Sequence, residues 1–132
     1  MKMSLPTDSA VRKKYPVFRG CIAYFAAALA GVARVSMAAN ERHNPGESMH
    51  HSRGKSNDHA DCIVRHLMDV ADFQAAIERA EIPRTTGDIG EYRERCAALL
   101  DEADRLSWRA LALSQELHEK YGGAPLAPNA RA

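Results

Sequence analysis

Ile89-Gly-Glu-Tyr92-Arg-Glu-Arg-Cys96-Ala-Ala-Leu99-Leu100-Asp101-Glu102-Ala103-Asp104-Arg105-Leu106-Ser-Trp108-Arg109-Ala110-Leu111-Ala112-Leu113-Ser-Gln-Glu-Leu117 is the stretch that decides the fold class. Ile89, Tyr92, Cys96, Leu99, Ala103, Leu106, Ala110, Leu113 and Leu117 recur at alternating steps of three and four. Such spacing puts every apolar side chain on one face of a long α-helix and forbids a strand, whose period is two. Leu100, Trp108, Leu111 and Ala112 widen that face beyond a two-stranded zipper, so the helix meets more than one neighbour. Gly122-Gly123 ends it.

The same periodicity extends outward. Residues 18–42 are Ala-rich, with a stripe of Ile22, Phe25, Leu29, Val32 and Ser36, and predict a first, buried helix closed by Asn44-Pro45-Gly46. Residues 57–80 predict a second helix, with Ser56 as its N-cap and a core stripe of Ala60, Ile63, Val64, Leu67, Val70, Ala71 and Phe73. His59, Cys62 and His66 line an adjacent strip, while Asp58, Asp61, Arg65 and Asp69 share a face. Residues 83–90 read as a linker, residues 1–16 as a flexible arm and residues 123–132 as a flexible tail. No segment shows the alternation of a strand. The expectation is an all-α bundle of three or four helices spanning residues 17–122, with one long C-terminal helix. Nine seam positions need cover, which predicts a homodimer or homotetramer.

Composition narrows the class. The chain has 132 residues, a net charge of +1, 45% apolar and 27% charged residues, the balance of one soluble globular domain. No global field draws it to nucleic acid or to a membrane. Cys21, Cys62 and Cys96 are odd in number and far apart, which argues against a disulfide framework and for a reducing, cytoplasmic setting. Residues 20–33 follow Arg12-Lys13-Lys14 and imitate a signal peptide, but they are short for a bilayer and their stripe continues past Arg34.

Chemistry concentrates in residues 40–69. Five of the six histidines fall there, among interleaved acids and bases, a mixture that folding alone rarely demands because such groups cost free energy when buried without partners. Two acidic groups form a pair: Asp58-x-x-Asp61 opens the second helix within this region, and Asp101-Glu102-Ala103-Asp104 lies midway along the third. Carboxylates three apart on packed helices can share magnesium or manganese, so Asp58, Asp61, Glu102 and Asp104 are the predicted metal ligands. Capping at Asp58, and ordinary solvation at Asp101 and Asp104, are the competing readings. Arg53 and Lys55 flank a glycine just before a helix N-terminus, an arrangement suited to phosphate, and Arg65 adds a third cation. His43 and His66, with Asp61, are the candidates for positioning water or substrate. His59, Cys62 and His66 also stand at helical spacing for zinc, although no second Cys-rich element completes such a site.

These residues carry a resemblance. The run 35–47, with Asn40, His43, Asn44, Pro45, Gly46 and Glu47, and the run 50–67, with Arg53-Gly54-Lys55-Ser56, Asp58-His59, Asp61 and Arg65-His66, resemble the phage dATP/dGTP diphosphohydrolases. Those are MazZ-like enzymes related to the all-α MazG pyrophosphohydrolases. The run 108–113 is similar to that family's last helix. The resemblance implies hydrolysis of a purine deoxynucleoside triphosphate, dGTP or dATP, to monophosphate and pyrophosphate with Mg2+ or Mn2+, in phage nucleotide-pool or modified-base metabolism. It adds Asn40 and Asn44 to the substrate side. MazG proteins write their ligands as Glu-x-x-Glu and Glu-x-x-Asp, whereas this chain offers aspartates at 58 and 61. The rival expectation is a non-catalytic helical assembly or regulatory protein whose polar segment binds a nucleotide or a metal.

Overall fold

Helix dominates because the chain carries few β-branched runs and long stretches of Ala, Leu, Glu and Arg, the residues that lose least on entering a helix. The computed structural model describes residues 2–52, 57–79, 89–127 and 130–131, with the pairs 51–52 and 130–131 described by backbone alone. It is all-α. The element order is α1 (Ser9–Arg12), a π-helical turn (Phe18–Ile22), α2 (Ala26–His43), α3 (His59–Glu78) and α4 (Ile89–Tyr121). A parallel two-residue bridge between β1 (His51–Ser52) and β2 (Ala130–Arg131) is too short to form a layer. The described residues divide into two compact units, 1–57 with 111–132, and 58–110. No helix among the described residues is long and apolar enough to cross a membrane.

In the first unit the structure corrects the expected first helix and describes parts of the arm and the tail. The segment expected as a loose arm contains α1, a single turn that forms because the Asp8 carboxylate accepts the Val11 N–H at 3.0 Å and Arg12 Nη1 donates to the Pro6 carbonyl at 3.1 Å. The first long helix, expected to run unbroken over 18–42, is interrupted: Ala23 N–H reaches back five residues to Phe18 O at 2.7 Å, and Phe25 leaves helical geometry as the N-cap of α2. The wide turn occurs beside Gly20, the poorest helix former of the segment after proline. Nor is this helix buried. Tyr24 is 76% exposed, and Asn40 is the one buried residue of α2. Residues 124–127 follow α4 without helix, with Ala127 N–H donating to Glu119 Oε2 at 3.1 Å.

The C-terminal ends of α2 and α4 follow their sequence signals. Gly122 N–H and Ala124 N–H both bond His118 O, at 3.0 and 3.1 Å, and Gly123 takes φ 72°. At the end of α2, Asn44 N–H bonds Asn40 O at 2.7 Å and Gly46 takes φ 78°. These left-handed positions suit glycine, which has no Cβ to clash.

The second unit holds α3 and the first two-thirds of α4. The second helix begins two residues later than expected: Asp58 is its N-cap, with φ −115° and no capping side-chain bond, and Ser56 lies outside the described residues, as does the linker up to Asp88. The buried face of α3 is also not the expected stripe. His59, Cys62 and Ile77 are its buried residues, with Ile63, His66 and Val70 half-buried. Val64, Leu67 and Met68 are 52 to 61% exposed. In the strip of His59, Cys62 and His66 the two imidazoles find partners on α4, Arg109 and Glu102, while the Cys62 sulfur is engaged within α3 by Asp58 and Arg65. On α4 the expected seam is half-buried at Tyr92, Cys96, Leu99, Ala103, Leu106 and Leu113 and exposed at Ile89, Ala110 and Leu117.

Candidate functional site

Two clusters tie α3 to α4 within the second unit. The first sits at the N-terminus of α3. Asp58 Oδ2 accepts the Cys62 thiol at 3.4 Å, and its carboxylate lies 3.9 Å from Arg65 Nη2 and 3.8 Å from Arg109 Nη1. Arg65 Nη2 donates to Cys62 Sγ at 3.1 Å, and Arg109 Nη1 stands 3.3 Å from His59 Nδ1. The thiol hydrogen bond first, then the Asp58 backbone and the two guanidinium charges, hold the Asp58 carboxyl below its ordinary value of 3.8 against the opposing effect of desolvation. Asp58 is thus an acid facing two arginines. Arg109 also lies 5.8 Å over the Trp108 ring.

The second cluster lies further along both helices. His66 Nδ1 is 2.6 Å from Glu102 Oε2, with both side chains mostly shielded. Asp69, one turn beyond His66 on α3, joins them: one donor atom from each of the three lies within 4.8 Å of the other two. Among the described residues this is the group of His, Cys, Asp or Glu able to hold a metal ion. An imidazole and two carboxylates are hard-to-borderline donors suited to a divalent cation.

The sequence-predicted residues therefore separate. Of the four expected ligands, Glu102 stands in the donor cluster, Asp58 in the arginine cluster, and Asp61 exposed in the first turn of α3, where an acid favours the helix dipole. Asp104 is half-buried on α4 outside the donor cluster. Neighbouring Asp101 forms an (i, i+4) pair with Arg105 at 2.8 Å, the ordinary helix-surface reading of an acid there. Asp69 was legible only as a member of an acidic face; its His66-x-x-Asp69 spacing is the signal that points to it. Arg109 gave no local signal, since its partners lie about fifty residues earlier.

The expected substrate-side residues of the first unit make local bonds. Asn40 Nδ2 donates to Glu47 O at 3.1 Å and Asn44 Nδ2 donates to Asn40 Oδ1 at 3.2 Å. Buried Asn40 thereby satisfies the turn that ends α2, as buried amides must. His43 is exposed, with Arg42 Nε 3.4 Å from its Nε2. Arg53 and Lys55 lie outside the described residues. The zinc reading loses its geometry: Cys62 is engaged by Asp58 and Arg65, His59 faces Arg109, and His66 turns to Glu102.

No family model matches the chain, and no curated protein or solved structure matches it either.

Proposed function

We propose that the protein is a metal-dependent nucleoside triphosphate pyrophosphohydrolase, acting on purine deoxynucleoside triphosphates. The observation that supports it is the convergence of Glu102 from α4 with His66 and Asp69 from α3. An acid drawn from a second helix is what a cation site on the face of α3 requires. The likeness of residues 35–67 to phage dATP/dGTP diphosphohydrolases supplies the substrate class. In this reading water adds across the α–β phosphoanhydride bond, releasing a monophosphate and pyrophosphate. Glu102, His66 and Asp69 hold the cation. When bound, such a cation supplies charge neutralisation on the phosphates and an activated water. Arg65, whose side chain is 64% exposed, presents a guanidinium to phosphate beside that face.

The test is incubation of the purified protein with each dNTP and Mn2+ or Mg2+, the products being separated by chromatography. Monophosphate and pyrophosphate are expected, fastest from dGTP or dATP. Glu102→Gln should lower turnover by at least about a hundredfold, beyond the ~10–100-fold lost when groups that merely support a ligand are removed. Absence of monophosphate from every dNTP removes the reading. The exposed apolar faces favour one alternative, a non-catalytic helical assembly, and metal-dependent thermal stabilisation without product would select it.

A further inference from the structure

We propose that His66 Nδ1, Asp69 and Glu102 form a binding site for a first-row transition-metal ion, preferring Zn2+ and Co2+ over Mn2+ and all three over Mg2+. The inference concerns the helix face invoked for nucleotide hydrolysis, but it needs no nucleotide and is measured without one.

Three observations carry it. First, the donors come from two helices and meet: His66 and Asp69 are one turn apart on α3, and Glu102 reaches them from α4, with one pair at 2.6 Å and all three donors within 4.8 Å. Donors around one ion at about 2.1 Å lie roughly 3.0–3.4 Å apart in tetrahedral or octahedral geometry. The His66–Glu102 pair has only to open by a fraction of an ångström, and the exposed Asp69 side chain to swing inward.

Second, the two carboxylates share one imidazole and, among the described residues, have no permanent cation beside them. Among the described residues neither Asp69 nor Glu102 pairs with a Lys or an Arg, although arginines neutralise Asp58 and Asp101 nearby. Two carboxylates drawn toward a single imidazole repel each other, and a divalent cation between them removes that repulsion.

Third, the donor set discriminates. Imidazole nitrogen suits Zn2+, Co2+ and their neighbours, whereas Mg2+ prefers oxygen and gives up its water reluctantly. A set of carboxylates alone would make this distinction only weakly, and a His ligand sharpens it. His66 is therefore assigned as a ligand rather than as a group that positions water.

The experiment is calorimetric titration of the chelator-treated full chain with Zn2+, Co2+, Mn2+ and Mg2+, each alone. One ion per chain is expected, with Mg2+ at least about tenfold weaker than Zn2+ or Co2+. Glu102→Gln and His66→Ala should each weaken Zn2+ binding about tenfold or more, whereas Asp61→Asn should bind as the parent does. Circular dichroism of each variant shows whether the helices are retained. The Co2+ absorption spectrum is a second readout, expected without a thiolate charge-transfer band. Four results overturn the proposal: no ion bound, which leaves an ordinary His–Glu pair; Mg2+ bound as tightly as Zn2+; parental affinity in both helical ligand variants; or a thiolate band, which moves the ion to Cys62. A protein that binds Zn2+ in this way and hydrolyses no dNTP keeps this inference and loses the enzymatic one.

Discussion

Asp58 shows how one side chain's environment sets its role. Its carboxylate faces the Cys62 thiol and two guanidinium groups, and its pKa is lowered from 3.8 in consequence. A carboxyl with a depressed folded pKa stabilises the protein above its unfolded value, and that contribution is lost as the pH falls through the folded value. The thermal stability gap between the parent and Asp58→Asn is therefore expected to be constant from about pH 5 upward and to shrink below about pH 4. Melting curves across that range check it; a gap that widens on acidification would reverse the sign of the linkage. Asp58 is exposed enough for solvent to screen both pairs, so the gap at neutral pH should be small. Asn40 illustrates a related point: a residue matched to a substrate-side motif also has a structural task, closing the turn to Glu47.

At the scale of the element, the C-terminal ends of α2 and α4 were read directly from residue type. A Cβ at Gly122 would lie 2.9 Å from the His118 carbonyl oxygen, a backbone atom with little room to yield, whereas a Cβ at Gly90 meets nothing within 4 Å. Gly122→Ala is expected to cost about 1–2 kcal/mol through strain at the α4 terminus, while Gly90→Ala should be neutral or stabilising by up to ~1 kcal/mol from helix propensity. Denaturant unfolding of the two variants decides; equal effects would show that the end of α4 relaxes freely. The helix faces were less legible. In α3 the stripe of Val64 and Leu67 has the spacing of a core, yet the strip of His59, Cys62 and His66 is the one turned toward α4. Periodicity identifies a stripe; it does not say which neighbour covers it.

At the scale of the whole molecule, few apolar side chains are buried among the described residues, Cys62 and Ile77 being the buried ones. Among the described residues no large side chain is fully buried, and Phe18, Val64, Leu67, Met68, Leu100 and Leu111 are all exposed. A domain of this size must bury most of its apolar surface to offset chain entropy. Self-association is the economical solution, and obligate oligomers fold only together. Light scattering after size exclusion is expected to give a multiple of 14.5 kDa, with a melting temperature that rises with protein concentration. Leu67→Glu with Met68→Glu should lower both the mass and the melting temperature. A stable 14.5 kDa monomer with cooperative unfolding would overturn the expectation.

Sequence by itself determined the helical class, the seam of α4 and the stops at Asn44–Gly46 and Gly122–Gly123, because each depends on contacts within a few residues. It also located the polar region that holds Asp58, Arg65 and His66. Only the tertiary structure decided that Glu102 belongs with His66 and Asp69, and that Arg109 belongs with Asp58 and His59. Those partners lie 36 and about 50 residues apart, and only the packing of α3 against α4 brings them within reach. The same packing took Asp58 away from the acidic set. Spacing along one helix shows which residues share a face, and the face it meets is a property of two helices.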